Sequence, residues 1–265
     1  MKIPFQSWHD ALRKRRSRRL YDARPIPSEI LERISAVCNN FRPFDTARAV
    51  PAELSGRVFK GIVGAYGKIK GAPFHIAFVG DARDPHVHEK VGYTGEGIIL
   101  EATYLGLGTC WVGKSFDQEI ASSYAAIRKY EQVIAVTPVG YATREASFEE
   151  RLLTGFGRTH KRKPLDEMVR GMTENGWPEW VRMSLSAARV APSAVNRQPW
   201  RFLVEPDSVT ISVDDLHDSY GISKRLDCGI AMLHIEIASL ACGFPGEWEI
   251  LDPPGVARFK VLTSK

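Results

Sequence analysis

The sequence predicts a mixed chain of helices and strands in which two related halves pack on each other with pseudo-two-fold symmetry. Three observations carry this. Two strongly apolar stretches, Gly95 to Leu107 and Cys228 to Ala241, each read as a buried helix closed by glycine. The order around them repeats: Pro27-Ser28-Glu29-Ile30 opens a helix in the first half, and Pro178-Glu179-Trp180-Val181 does so in the second. The polar equipment, in contrast, is divided. Arg15-Arg16-Ser17-Arg18-Arg19 occurs only in the first half, and Pro192-Ser193-Ala194-Val195-Asn196 only in the second. Split equipment implies one composite site at the interface rather than two.

Taken in order, Ser7 to Arg16 reads as a helix with Ser7 as its N-cap, and the arginine run leaves its end. Pro25-Ile26-Pro27 leads to a second helix capped by Ser28, with Ile30, Leu31, Ile34 and Val37 as its apolar stripe. Phe41 to Val50 reads as loop, Pro51 to Tyr66 as a third helix, and Phe74 to Val79 as the first strand. The central helix Gly95 to Leu107 is expected to end on Gly108, and Thr109 to Gly113 to form a short strand or bend. Val133 to Val139 is a strand, and Arg144 to Lys163 a basic, glycine-containing arm. Leu165 to Met172 and Glu179 to Val190 read as helices. Phe202 to Glu205 and Val209 to Val213 form a hairpin, and Ala257 to Leu262 a last strand. Overlaying the apolar helices puts Glu101 on Glu236, Leu105 on Leu240 and Gly108 on Gly243. The expected division is 1–163 and 164–265.

The 265 residues suffice for a substantial core, and 44% hydrophobic content excludes a disordered chain. No apolar run spans a bilayer, and Met1 to Asp10 lacks a signal-peptide core, so the expectation is a cytoplasmic protein with no membrane partner. A net charge of +5 is too mild to imply nucleic acid but suits an anionic small molecule. Cys38, Cys110, Cys228 and Cys242 are scattered without metal spacing and are expected as reduced thiols. His86 and His88 lack a third ligand nearby, which makes a surface loop the better reading than a metal site.

The stretch from Ala191 to Trp200 connects a helix to a strand. Its prolines stop the helix, and Ser193, Asn196 and Gln198 tolerate turn geometry while offering donors and acceptors. Alone it could be an ordinary connection. The arginine run, alone, could be a solvated helix end. Together they offer several bidentate cationic donors on one side and a rigid polar loop on the other, which suits an anionic ligand.

At these residues the chain resembles the nitroreductase family of flavin enzymes. The resemblance rests on Arg15-Arg16-Ser17-Arg18-Arg19-Leu20-Tyr21, on Ala191 to Phe202, on Leu105-Gly106-Leu107-Gly108-Thr109-Cys110-Trp111 and on Val139-Gly140-Tyr141. It is closest to the subgroup in which two such halves share one chain. The resemblance implies an α+β fold, here an internal pseudo-dimer and thus a chain that could stand as a monomer, with FMN between the halves. It places Arg15, Arg16, Ser17 and Arg19 on the ribityl phosphate, joined by Arg162. It puts Pro192, Ser193 and Asn196 along the flavin ring, and Trp111, Val112 and Gly113 at its reactive edge. Lys68 would reach the pyrimidine side, while Ala65 stands where the family often has Asn. The implied activity is ping-pong transfer from NADH or NADPH to a small-molecule acceptor such as a nitroaromatic or quinone. The chemistry resides in the flavin, and no catalytic side chain is named. A flavin-binding carrier or sensor without efficient turnover is the alternative.

Overall fold

The computed structural model describes residues 1–22, 24–53, 57–59, 69–143 and 161–262. Helix α1 (Phe5–Lys14) buries Trp8, Ala11 and Leu12, spaced to share one face. It begins earlier than expected. Pro4 fixes the entry, Trp8 N–H donates to the Pro4 carbonyl at 3.1 Å, and Ser7 Oγ bonds that same carbonyl instead of capping. In α2 (Ser28–Asn40) Pro27 takes the cap position and Ser28 is the first helical residue. Ile34 and Val37 of the expected stripe are buried, and Ile30 and Leu31 pack beside them.

The expected loop and third helix are replaced, where described, by strand β1 (Ala47–Glu53); 54–56 and 60–68 lie outside the described residues. The strand is made by its neighbour: every residue pairs antiparallel with β2 (Phe74–Asp81). It is the sheet's edge, where Pro51 costs no ladder hydrogen bond on the open side. Then follow α3 (Val87–Tyr104), β3 (Gly108–Thr109), α4 (Gln118–Tyr124, capped by Asp117) and β4 (Glu131–Gly140). The first sheet has the order β1-β2-β4-β3. Alternation along β2 sends Ile76 and Phe78 into the main core, and Ala77 and Val79 into a smaller cluster with Val112, Ala121 and Val136.

Of the expected arm, 144–160 lie outside the described residues, and 161–163 dock on the second half. Leu165 to Met172 is not an α-helix. A short 3₁₀ turn, Leu165–Glu167, precedes strand β5 (Val169–Gly171), which pairs in parallel with Phe202, Leu203 and Val204. Helix α5 (Glu179–Arg189), the hairpin β6 (Trp200–Val204) and β7 (Ser208–Val213), helix α6 (Lys224–Ala241), β8 (Gly246–Ile250) and β9 (Gly255–Val261) complete the chain. The second sheet has the order β5-β6-β7-β9-β8.

The two apolar helices, α3 and α6, pack against each other at the centre. Gly92 faces the Leu226 carbonyl, and Gly229 faces the Glu89 carbonyl, each so closely that a Cβ would collide with it. One sequence shift exchanges both glycines and both carbonyls. The same shift carries Val87 and Tyr104 onto Lys224 and Ala241, so the contact is isologous, as across a two-fold axis. It also carries Gly106 (φ 81°) onto Gly243 (φ 82°), the left-handed residues just past the two helices. The expected register, Gly108 on Gly243 and Glu101 on Glu236, is therefore two residues out: Gly108 belongs to β3, and Leu105 caps α3. Among the described residues no helix is long and apolar enough to cross a membrane.

Candidate cofactor site between the halves

The chain leaving α1 is extended beside β3. Arg18 N–H donates to the Thr109 carbonyl at 2.7 Å, and Tyr21 Oη to the Arg18 carbonyl at 2.6 Å. This fixes the arginine run against the first sheet. Arg16 Nη1 donates to the carbonyls of Arg13 and Arg15, covering the end of α1. Arg15 is buried, with Nε 3.8 Å from Glu96 Oε1 and no hydrogen-bond partner for Nε among the described residues.

Glu96 ties this side of the site to both central helices. Its Oε2 accepts from Trp111 Nε1 at 2.8 Å, and its Oε1 lies 3.0 Å from His234 Nε2 on α6. His234 Nδ1 is 2.9 Å from the Ala187 carbonyl, which can only accept, so Nδ1 carries a proton. All of this is sealed: Glu96 and His234 have no exposed surface.

The opposite wall is the Ala191 to Trp200 connection. Val195 (φ 46°), Asn196 (φ 57°) and Gln198 (φ 50°) are all left-handed, a conformation that costs non-glycine residues and persists only when the surroundings enforce it. The enforcement is visible. Arg162 donates to the carbonyls of Val190 and Ala191 and to Asn196 Oδ1, at 2.8 to 3.0 Å. Asn196 Nδ2 donates to the Lys161 carbonyl, and Gln198 Oε1 accepts from Lys163 N–H at 2.8 Å. Ser193 Oγ accepts from Gln198 N–H at 3.0 Å, which leaves its own proton free to donate. From below, Asp227 on α6 accepts from Ala194 N–H and from Arg197 Nε, at 3.0 and 2.7 Å.

A cavity of about 1170 Å³ lies between the two walls. Arg15, Arg16, Ser17 and Arg19 line it from the first half, with Trp111, Val112 and Gly113 beyond them. Arg162, Pro192, Ser193 and Asn196 line it from the other wall. The expected site residues thus converge, except Lys68, which lies outside the described residues. Leu226 and Ile230 of α6 add apolar surface. Asn196 differs from expectation in its work: both ends of its amide are engaged in bracing the wall.

The electrostatics are those of a cationic pocket. Arg162 is lowered to about 10, chiefly by burial, with the neighbouring Arg15, Arg16 and Arg189 acting in the same direction. Arg15 is lowered chiefly by burial, with Glu96 opposing. Cations that depress one another would be relieved by a bound anion. An orphaned Arg15 Nε and a self-repelling group of arginines above an apolar slot fit a ligand with an anionic end and a flat body. Glu96, His234, Arg197 and Asp227 were not expected from the sequence. Their only signal is polarity inside otherwise apolar helices and in the Ala191 to Trp200 connection.

Residues 8–239 match a family model described as "Putative TM nitroreductase". Among solved structures, a Thermotoga maritima protein described as a "putative nitroreductase" is 21% identical, with 96% of this chain and 93% of that one covered and a TM-score of 0.65. A nitroreductase with bound FMN from Bacteroides fragilis is 20% identical, covering 52% of this chain and 90% of its own, with a TM-score of 0.42. A nitroreductase family protein from Clostridium difficile is 23% identical, covering 62% and 97%, with a TM-score of 0.45. No curated protein matches. The family model spans most of the length, from α1 into α6, and includes both walls of the cavity: this chain belongs to that nitroreductase family.

Proposed function

We propose that the protein is an FMN-dependent NAD(P)H oxidoreductase of the nitroreductase type, with one flavin between halves 1–163 and 164–265. The observation that carries this is the convergence, in one cavity, of Arg15, Arg16 and Arg162, cations that act on one another unfavourably, and a braced polar loop from the other half. Arg15, Arg16, Ser17, Arg19 and Arg162 would hold the phosphate, by forked and charge-assisted donors. Ser193 keeps a hydroxyl proton for the ring, Pro192 and Asn196 shape the wall, and Trp111, Val112 and Gly113 border the reactive edge. Lys68 would complete the pyrimidine side. When bound, FMN supplies hydride acceptance from NADH or NADPH and delivery to a nitroaromatic or quinone, in ping-pong order. The chain's own part is to hold, orient and dry the site. Glu96 keeps the Trp111 indole fixed, and Arg162 keeps the loop in its left-handed form. A cytoplasmic setting belongs to the same proposal.

An ultraviolet-visible spectrum before and after NAD(P)H tests it. The expected result is a protein that retains FMN, bleaches with NADH or NADPH and recovers its colour on adding a quinone. Arg16→Ala combined with Arg19→Ala is expected to weaken FMN retention more than it shifts thermal unfolding. A protein that takes up no FMN overturns the proposal. A flavin that stays oxidised under both nucleotides favours the carrier or sensor reading.

A further inference from the structure

We infer that the cavity mouth is built for a flat aromatic acceptor bearing a negative charge, held between Tyr220 of the second half and Lys114 of the first. The inference rests on the flavin reading above and names the substrate class of that same site.

The arginines and the braced loop account for one end of the cavity. Its volume, about 1170 Å³, exceeds the roughly 300–1,000 Å³ usual for a single small-molecule pocket. At the mouth two segments from different halves meet. Gly113 approaches Ile222 so closely that a Cβ would lie 3.1 Å from its side chain, and Gly221 lies beside the Lys114 side chain, with a Cβ placed 3.5 Å from its Cε. The Lys114 side chain is exposed, and its ammonium makes no hydrogen bond or ion pair among the described residues.

Tyr220 is 65% exposed and lines the cavity, so core packing does not explain a large aromatic there. Its backbone is left-handed (φ 64°), a strained choice for tyrosine where glycine or asparagine would serve. The strain is held from behind. Arg197 Nη1 donates to the Ser219 carbonyl and hydroxyl, at 3.1 and 3.0 Å, and its Nη2 to the Ile222 carbonyl at 3.0 Å. Both ends of the turn are therefore pinned by one guanidinium, itself fixed by buried Asp227 at 2.7 Å. A strained turn, rigidly anchored, that presents an aromatic ring and sits beside an unpaired ammonium matches a planar anion: the ring stacks, and the charge is met at its rim.

The test measures equilibrium binding of 4-nitrobenzoate and of its neutral isostere 4-nitrobenzamide to the oxidised FMN-loaded protein, by perturbation of the flavin absorbance. The benzoate is expected to bind about threefold to tenfold more tightly. Lys114→Met should reduce that ratio to near one. Tyr220→Ala should weaken both ligands about fivefold and leave their ratio intact, with Tyr220→Phe restoring both. Lys114 and Tyr220 are exposed, and far-ultraviolet circular dichroism checks that each variant is folded. Equal binding of the two ligands, or a preference that survives Lys114→Met, overturns the inference. Failure to retain FMN instead overturns the flavin reading beneath it. A protein that cycles its flavin with a quinone but ignores the carboxylate keeps the reading and loses the inference.

Discussion

Asp227 shows how much one buried carboxylate organises. It receives the Ala194 amide and the Arg197 guanidinium, and through Arg197 it reaches the turn at Ser219 and Ile222. Burial raises its pKa from 3.8 to about 6, with Arg197 opposing. In the unfolded chain the same group releases its proton near 3.8, so between those values the folded state binds more protons. Its contribution to stability therefore falls as pH rises from about 4 to about 6, and is level above, by roughly 2–3 kcal/mol in all. Asp227→Asn should remove that slope. At pH 7 the variant should be less stable by about 3 kcal/mol, because Arg197 is left buried without its counter-charge. Urea midpoints of both proteins across pH 4 to 7 measure this, and parallel curves would place the titration on another group.

At the scale of elements, the central helix pair makes two glycine positions demanding for different reasons. Gly229 lies against the Glu89 carbonyl, whereas Gly243 has nothing within 4 Å but a φ of 82°. Gly229→Ala must move one central helix and should cost about 3 kcal/mol or more, beyond ordinary overpacking because the obstacle is backbone. Gly243→Ala strains one residue and should cost about 1 kcal/mol. The pseudo-two-fold predicts that Gly92→Ala copies the first and Gly106→Ala the second. Chemical denaturation of the four variants decides it: four similar costs would remove the distinction.

The same elements show what was legible in the sequence and why the rest was not. The central helices were visible because their apolar character is continuous, and the hairpin because its turn residues sit between apolar runs. Strand β1 was not, since Ala47-Arg48-Ala49-Val50-Pro51-Ala52-Glu53 has small residues on its buried face and becomes a strand only by pairing with β2. Strand β5 likewise exists through its parallel neighbour β6. Strand β8, outside the expected elements, has a sequence signal in the alternation Glu247-Trp248-Glu249-Ile250. In the site, the arginine run and the Pro-Ser-x-x-Asn loop stood out because contiguous polar groups are conspicuous. Glu96 with His234 did not, because a contact between two distant helices leaves no local spacing to read.

At the scale of the whole molecule, the two walls of the cavity come from different halves, and each occurs once in the sequence. A symmetric homodimer of single halves would build two equivalent sites from two copies of each wall. This chain has one arginine run and one Pro-Ser-x-x-Asn loop, so it should bind one FMN per 29.6 kDa chain. Because α3 already has α6 as its isologous partner, the central surface through which separate subunits would pair is buried within the chain. Sedimentation should therefore give a 29.6 kDa monomer whose thermal midpoint does not depend on protein concentration. Added FMN should raise that midpoint, since a ligand at a hundredfold its dissociation constant contributes about 2.7 kcal/mol to a state that binds it alone. The gain should saturate at one equivalent. Arg162→Met should blunt it, because that arginine lines the same cavity as Arg15 and Arg16 and holds the Val190 to Asn196 wall in place. Two equivalents at saturation would mean a second site within the chain, and a midpoint that climbs with protein concentration would mean that a second chain completes the site.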